Sequence, residues 1–225
     1  MNSRVFADAA GLARAAAEWT VQACAEAIAA RGVCHLVLAG GTSPKLCYEA
    51  LRDLHVDWSK VHIWFGDERC VPVGDKERND RMADEALLSH VPIPVSQIHR
   101  MAAELGPEEG GALYAAELAV APVMDVVHLG MGEDGHTCSL FPDKPALSDA
   151  RLAFGVSDSP KPPPERVTLG YAVLNQARAV LILTAGKGKQ EALTRIANGE
   201  SLPVARVKDA IWYMDQDAAG DSFPA

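Results

Sequence analysis

Residues 125–142 read DVVHLGMGEDGHTCSLFP, an apolar segment that runs directly into glycines, two acids and a histidine. The first part, residues 126–129, has the length and composition of a buried strand. The polar part contains Asp134 and His136, and Pro142 prevents a long helix from starting at once. Because ligands of α/β proteins bind beyond the carboxyl ends of strands, we expect the chemistry of the chain here.

Three further apolar runs predict strands, and helical segments alternate with them. The runs cover residues 34–39, 61–65 and 179–184, and an Ala-rich helix is predicted over residues 8–30 with its end at Gly32. Outside these four central strands, residues 202–207 and 211–214 are expected as final edge strands and residues 215–225 as a loose tail. Alternating strands and helices predict an α/β fold of the Rossmann-like type. We expect a mainly parallel sheet with helices on both faces, in three layers.

Composition narrows the possible functions. The 225 residues are 48% hydrophobic, which is enough for one sizeable core, so a single domain over residues 1–225 is expected. The net charge of −9 argues against nonspecific binding to nucleic acid. Five cysteines without a CxxC pair favour a cytoplasmic protein without disulfides or structural zinc. No apolar run approaches the roughly 20 residues that span a bilayer, so no membrane partner is expected.

Polar residues follow each of the four predicted strands. Because parallel strands end at the same edge of a sheet, we expect these residues to become neighbours. The glycine-rich segment after residues 34–39 leads into a helix start that can bind an anion. A lysine near the helix start after residues 179–184 also favours a bound anion, because its charge opposes the helix dipole. The residues concerned are Gly41, Thr42, Asp67, Arg69, Asp134, His136 and Lys189.

The three glycines of the first stretch also match the dinucleotide-binding pattern G-x-G-x-x-G. That pattern needs its last glycine, here Gly135, packed within a long helix, and Pro142 follows too soon for this. Asp158 lies near the position of a ribose-binding acid, so a dinucleotide site stays open as an alternative.

Residues 159–170 read SPKPPPERVTLG, and their prolines impose an extended, polyproline-like path. This path holds Lys161 and Arg166 at a fixed separation, which suits an anionic ligand. The alternative is a linker between domains or a ligand for a proline-binding partner.

His136 is the predicted general base. A histidine is largely neutral near pH 7, can accept a proton from water, and can be oriented by a carboxylate such as Asp134 or Asp67. The sequence has no G-x-S-x-G nucleophile motif and no histidine cluster with the spacing of metal ligands. We therefore expect activation of water without a metal or cofactor.

Four segments in this order resemble the 6-phosphogluconolactonases and cover nearly the whole chain. They are GGTSPK at residues 40–45, FGDERCVP at 65–72, LGMGEDGHTCSLFPD at 129–143 and SPKPPPERVTL at 159–169. The resemblance implies hydrolysis of 6-phosphoglucono-δ-lactone, a sugar-phosphate lactone of the pentose phosphate pathway. It also implies a fold similar to those of glucosamine-6-phosphate deaminase and ribose-phosphate isomerase, with no metal and no cofactor.

The resemblance assigns roles to matching positions. His136 would be the general base, with Asp134 or Asp67 fixing its orientation, and Arg69 would lie near the sugar or the developing oxyanion. Lys161 and Arg166 would hold the substrate's phosphate, helped by the loop of Gly41 and Thr42 and by Lys189 or Arg206. The oligomeric state is left between a monomer and a weak homodimer.

Two other functions stay open. The first is a deaminase or isomerase acting on an amino-sugar phosphate, although such enzymes tend to have DEY where this chain has Asp67, Glu68 and Arg69. The second is a sugar-phosphate sensor that keeps the phosphate loop and lacks catalysis.

Overall fold

The computed structural model describes residues 2–144 and 150–223, and its centre is a six-stranded sheet. Every pair of neighbouring strands in this sheet is parallel. This confirms the α/β fold with a mainly parallel sheet. In spatial order the strands are β1 (Asn2–Phe6), β9 (Ile211–Asp215), β8 (Ala179–Thr184), β5 (Val126–Gly130), β2 (Cys34–Leu38) and β3 (Val61–Phe65).

Helices pack around the sheet, and α1 and α2 also contact each other. The Asp8 side chain accepts the N–H of Gly11 and so caps the start of α1, while Gly32 ends it with a φ of 82°. Within the described ranges, no helix is both long enough and apolar enough to cross a membrane. The helices are α1 (Ala9–Arg31), α2 (Thr42–Leu51), α3 (Asn79–Ala86), α4 (Pro107–Val120), α5 (Tyr171–Leu174), α6 (Gln190–Ala197) and α7 (Gln216–Ala219).

A second, antiparallel sheet contains β4 (Asp67–Arg69), β7 (Arg166–Leu169) and β6 (Ala153–Val156), in that order. The sequence places residues 67–69 just past the end of the strand at 61–65, as the structure does, but it does not predict that they form a strand of their own. The three residues form a strand because their backbone pairs with a segment far along the chain. The register sets Asp67 opposite Thr168 and Arg69 opposite Arg166.

Other errors concern short segments near the ends of the chain. The sequence misses β1, and it predicts a strand over residues 202–207, where the structure has a 3₁₀ turn at Pro203–Arg206. It also predicts that residues 211–214 lie at an edge, whereas β9 lies between β1 and β8. Short strands depend on tertiary partners more than on intrinsic preference, which explains these misses.

A loose tail is predicted over residues 215–225, but most of it is ordered secondary structure. Asp215 ends β9, and its side chain accepts the N–H of Ala218 at 2.7 Å, which caps α7. Residues 224 and 225 lie outside the described ranges.

His128 of β5 is fully buried in the core and is held neutral. The Thr20 hydroxyl donates to the carbonyl of Ala16, so His128 Nε2–H donates to that hydroxyl at 2.8 Å. This leaves Nδ1 unprotonated, and the described residues offer it no hydrogen-bond partner. Burial lowers the pKa of His128 from 6.5 to about 4.

We predict that His128→Leu flattens the acid dependence of stability. Below about pH 6.5 the unfolded chain protonates this histidine and the folded chain does not until about pH 4, so the free energy of unfolding falls across this window. Leucine removes that contribution, while Thr20 keeps its bond to Ala16. Burial also lowers the pKa of His35 to about 4. The free energy of unfolding of His128→Leu should therefore still fall with pH, but less steeply than that of the wild type.

Urea titrations from pH 7 to pH 4 measure this difference. The exposed His55 provides the control, since His55→Gln should reproduce the wild-type slope. Equal slopes in the wild type and His128→Leu would contradict the assignment of the acid dependence to His128.

Candidate active site

A cavity of about 280 Å³ lies at the carboxyl ends of β2, β3, β5 and β8. All four predicted strand ends contribute to its wall, as their parallel alignment requires. Of the residues singled out from the sequence, those that line it are Gly41, Thr42, Asp67, Arg69, His136, Arg166 and Lys189. Asp134, Lys161 and Arg206 do not line it.

Residues 132–136 form a compact turn that presents His136 to the cavity. The N–H of Gly132 donates to the carbonyl of His136 at 2.9 Å, and the N–H of Gly135 donates to the carbonyl of Gly132 at 3.0 Å. Gly135 has a φ of 80°, a conformation that favours glycine. The described residues after β5, up to 144, contain no helix, so the requirement of the dinucleotide pattern is not met.

Asp134 orients His136 through two hydrogen bonds. His136 Nδ1 lies 2.5 Å from Asp134 Oδ1, which also accepts the His136 backbone N–H at 3.2 Å. Partial burial raises the pKa of Asp134, but the side-chain and backbone hydrogen bonds from His136 outweigh it, and the pKa falls to about 2. An ionised carboxylate only accepts, so Nδ1 carries the proton and Nε2 has the free lone pair.

Gly132 makes room for this pair. A Cβ atom at position 132 would lie 2.0 Å from His136 Nδ1 and 2.6 Å from Asp134 Oδ1. Such distances are far below van der Waals contact, so no other residue fits without moving the histidine. The absence of a side chain at position 132 therefore leaves the space in which Asp134 and His136 meet.

Asp67 is held by different partners. Its Oδ1 accepts a hydrogen bond from Asn79 at 3.0 Å, and its Oδ2 accepts one from Ser139 at 2.7 Å. Within residues 2–144 and 150–223 no hydrogen bond joins Asp67 to His136. Of the two carboxylates that the sequence leaves open as partners of His136, Asp134 makes the contact.

Arg166 is buried, and its guanidinium points back at the proline-rich loop of residues 159–165, called the proline loop below. Its Nε donates to the carbonyl of Pro163, and its Nη2 donates to the carbonyls of Lys161 and Pro162. These bonds occupy three of the five N–H groups of the guanidinium. Nη1 remains, 3.8 Å from Asp67 Oδ2, as the nitrogen that can meet a ligand.

Two further cations contribute to the cavity wall. Arg69 Nη1 donates to the carbonyl of Glu77, while its buried Nε has no hydrogen-bond partner among the described residues. Lys189 is half-buried. Burial lowers the pKa of its ammonium group, and the negative charge of Glu133 offsets only part of this decrease. The start of α2 after Gly41 has no side-chain cap, which leaves N–H groups available there.

The remaining predicted cations lie outside the cavity wall. Arg206 donates to the carbonyl of Ser201 at the surface, so the structure does not place it in the site. Lys161 lies close enough to Asp134 for its charge to help lower the pKa of that carboxyl. No group of three or more His, Cys, Asp or Glu residues that could hold a metal occurs in residues 2–144 and 150–223.

Asn79 and Ser139 are absent from the residues predicted for the site. Ser139 lies three positions after His136, in the stretch that contains the predicted base, so its position is a usable signal. Nothing in the sequence indicates Asn79, because its contact with Asp67, twelve residues earlier, forms only in the folded chain.

The profile of the glucosamine-6-phosphate isomerases/6-phosphogluconolactonase family matches residues 7–213. The chain belongs to this family. A curated relative from Mycobacterium tuberculosis, named 6-phosphogluconolactonase, is 42% identical over 237 residues, with 96% of each chain covered. A human protein of the same name is 43% identical over 171 residues, covering 70% of this chain and 66% of the relative.

Solved structures give the same result. The 6-phosphogluconolactonase from Thermotoga maritima superposes with a TM-score of 0.87 at 30% identity, covering 95% of this chain and 98% of that one. A monomeric glucosamine-6-phosphate deaminase superposes over the full length of both chains with a TM-score of 0.83. Its identity is only 19%, so it shows a shared fold and no more.

We predict that Gly132→Ala destabilises the protein and separates His136 from Asp134. The added methyl group would overlap both side chains, and such overpacking typically costs about 1–3 kcal/mol. Urea unfolding measures the loss, and a crystal structure of the variant measures the separation of His136 Nδ1 from Asp134 Oδ1.

Gly11→Ala is the matched control. It lies in α1, where the new Cβ would be 3.4 Å from its nearest neighbour, and alanine favours a helix over glycine. Its stability should stay equal or rise. An unchanged free energy of unfolding in Gly132→Ala, with the 2.5 Å contact retained, would refute the prediction.

Proposed function

We propose that this enzyme hydrolyses 6-phosphoglucono-δ-lactone to 6-phosphogluconate, a step of the pentose phosphate pathway. Membership of the family and relatives that bear the name 6-phosphogluconolactonase support the substrate. The observation that carries the chemistry is the contact of His136 Nδ1 with Asp134, which leaves Nε2 on a side chain that lines the cavity.

In the proposed reaction, His136 acts as a general base and then as a general acid. Nε2 takes a proton from water while the water oxygen attacks the lactone carbonyl, which gives a tetrahedral oxyanion. The oxyanion collapses, the bond from the carbonyl carbon to the ring oxygen breaks, and that oxygen takes the proton from the imidazolium. Asp134 stabilises the imidazolium and keeps the productive tautomer.

Arg69 is our proposed stabiliser of the developing negative charge or of the sugar. Arg69 lines the cavity, so its guanidinium would meet an oxygen of a substrate bound there. Asp67 lies at the same wall, and its proposed role concerns substrate and cation placement, since Asp134 already orients the base.

The phosphate group is proposed to bind the remaining cations of the site. On a protein with a net charge of −9, a dianion needs a local group of positive charges. Arg166 Nη1, Lys189 and the start of α2 at Gly41 and Thr42 line the cavity, and Lys161 lies on the adjoining loop. Arg206, which the sequence includes in this group, is left out because it is not in the cavity wall.

We further propose that residues 1–225 form one domain that works in the cytoplasm as a monomer or weak homodimer. The match of one family over residues 7–213 supports a single domain. The cysteine pattern supports the location, and the acidic charge supports a small-molecule substrate over a nucleic acid.

Replacing His136 with alanine should lower turnover of the lactone at least about a hundredfold, the usual loss for a general base. Substrate binding should be largely retained, because the cations stay in place. A coupled assay corrected for spontaneous hydrolysis measures both. His55→Ala, at an exposed histidine, is the control and should match the wild type.

The same assay separates the alternatives. Near-normal turnover in His136→Ala would rule out this base, and an inactive wild type would remove the lactonase function. Ammonia release from glucosamine 6-phosphate would instead support the deaminase, and binding of the lactone without turnover would support the sensor.

Replacing Arg166 with alanine should mainly raise the Michaelis constant for the phosphorylated lactone. Unphosphorylated glucono-δ-lactone should be affected much less. Arg166→Lys keeps a charge but cannot make the three bonds to the proline loop, so it should not restore binding fully. An unchanged Michaelis constant in Arg166→Ala would remove this residue from the phosphate site.

A further inference from the structure

Asp67 has a buried carboxylate whose two oxygens are held by different side chains. Asn79 Nδ2 donates to Oδ1 at 3.0 Å and to the Asp67 backbone carbonyl at 2.9 Å. The Ser139 hydroxyl donates to Oδ2 at 2.7 Å. A carboxylate can accept about four hydrogen bonds, so these contacts fix its plane and leave capacity for a substrate hydroxyl.

Asn79 is itself fixed at both ends. It begins α3, and the backbone N–H groups of Asn79 and Asp80 both donate to the Glu68 carboxylate at 2.8 Å. On the other side, a Cβ at Gly40 would lie 2.1 Å from Asn79 Oδ1, so only glycine at position 40 leaves space for this amide. These contacts fix the orientation of the Asn79 amide towards Asp67.

Ser139 links three parts of the site. It lies on the loop that contains His136, its hydroxyl binds Asp67, and its backbone N–H donates to the Thr168 hydroxyl at 3.1 Å. Thr168 is the residue directly opposite Asp67 in the β4–β7 register. Ser139 thus connects the loop of His136 to β4 and β7 of the second sheet.

We infer that Asn79 and Ser139 are positioning residues that act through Asp67, an inference that rests on the proposed function. They hold the Asp67 carboxylate in one orientation beside Arg166, whose Nη1 is 3.8 Å away. Asp67 then keeps this cation directed at the ligand and accepts a hydroxyl of the sugar ring. Ser139 also keeps the loop of His136 at a set distance from that carboxylate.

Asn79→Asp is the sharpest test because the side chain keeps its size and loses its donor. At pH 8 the new carboxylate would face Asp67, and kcat/KM should fall at least about thirtyfold. The acids around position 79 are Asp67, Glu68 and Asp80, and the cations are Arg78 beside these acids and Arg69 and Arg166 in the cavity wall. Asp67 is the direct partner of the side chain at position 79, and its negative charge raises the pKa of the introduced carboxyl group, which regains a donor when protonated.

The ratio of variant to wild-type kcat/KM should therefore rise as the pH falls from 8 to 5.5. A residue that only supports the fold would change the free energy of unfolding with pH, while kcat/KM of the folded variant would stay at the wild-type value. Asn198→Asp adds the same charge at an exposed position after α6, and its ratio should stay near one.

Ser139→Ala tests the second positioning residue. It removes one hydroxyl, and kcat should fall about tenfold because the loop of His136 loses its link to Asp67. Ser59→Ala is the matched control, since it removes a serine–aspartate hydrogen bond of 2.6 Å to Asp57 at the surface. Thermal unfolding of all variants checks that the folded state is retained.

The outcomes separate the two proposals. If the wild type hydrolyses the lactone and both folded variants stay within twofold of it at every pH, the positioning role is wrong and the proposed function stands. If the wild type is inactive towards the lactone, the proposed function fails. If Asn79→Asp does not fold at pH 8, Ser139→Ala decides, and an unchanged kcat there overturns the inference.

Discussion

Parallel hydrogen bonding among β8, β5, β2 and β3 is the constraint on which the site depends. Parallel strands need connections that return along the faces of the sheet, so all four strands end at one edge. Segments far apart in sequence thereby share one cavity: the start of α2, Asp67 after β3, the loop of His136 after β5 and Lys189 after β8. The second sheet then brings Arg166 to the same place by pairing β7 with β4.

The two carboxylates of the site are organised by different kinds of contact. Asp134 and His136 are two residues apart, and the turn that joins them is closed by its own backbone hydrogen bonds. Asp67 instead depends on Asn79 and Ser139, which arrive from a helix and from another strand end. Local sequence suffices for the first arrangement, whereas the second exists only when the whole fold is in place.

This difference between local and long-range contacts explains which features of the site the sequence predicts and which it does not. Apolar runs with clear ends predict the central strands, and the spacing of Asp134 and His136 places both in one site. The pairing of β4 with β7 could not be foreseen, because a three-residue strand has no periodicity of its own. The inward turn of Arg166 and the outward position of Arg206 depend on carbonyl groups three to five residues earlier in the chain, and the directions of these groups are set by the fold.

The turn of residues 132–136 has a consequence for engineering. Gly132, Asp134 and His136 occupy alternate positions along five consecutive residues, and their hydrogen bonds to one another stay within the turn. One bond comes from outside, since the N–H of Val204 donates to the carbonyl of Gly135 at 3.0 Å. The segment is suitable for grafting onto the end of a parallel strand in another scaffold, provided that the recipient supplies a donor for the Gly135 carbonyl, and it would present a carboxylate-bound histidine there. A recipient needs an open strand exit, space for Leu202 or an equivalent against Gly135, and the glycine at the first position. A graft of the histidine and aspartate alone would lack the space in which they meet.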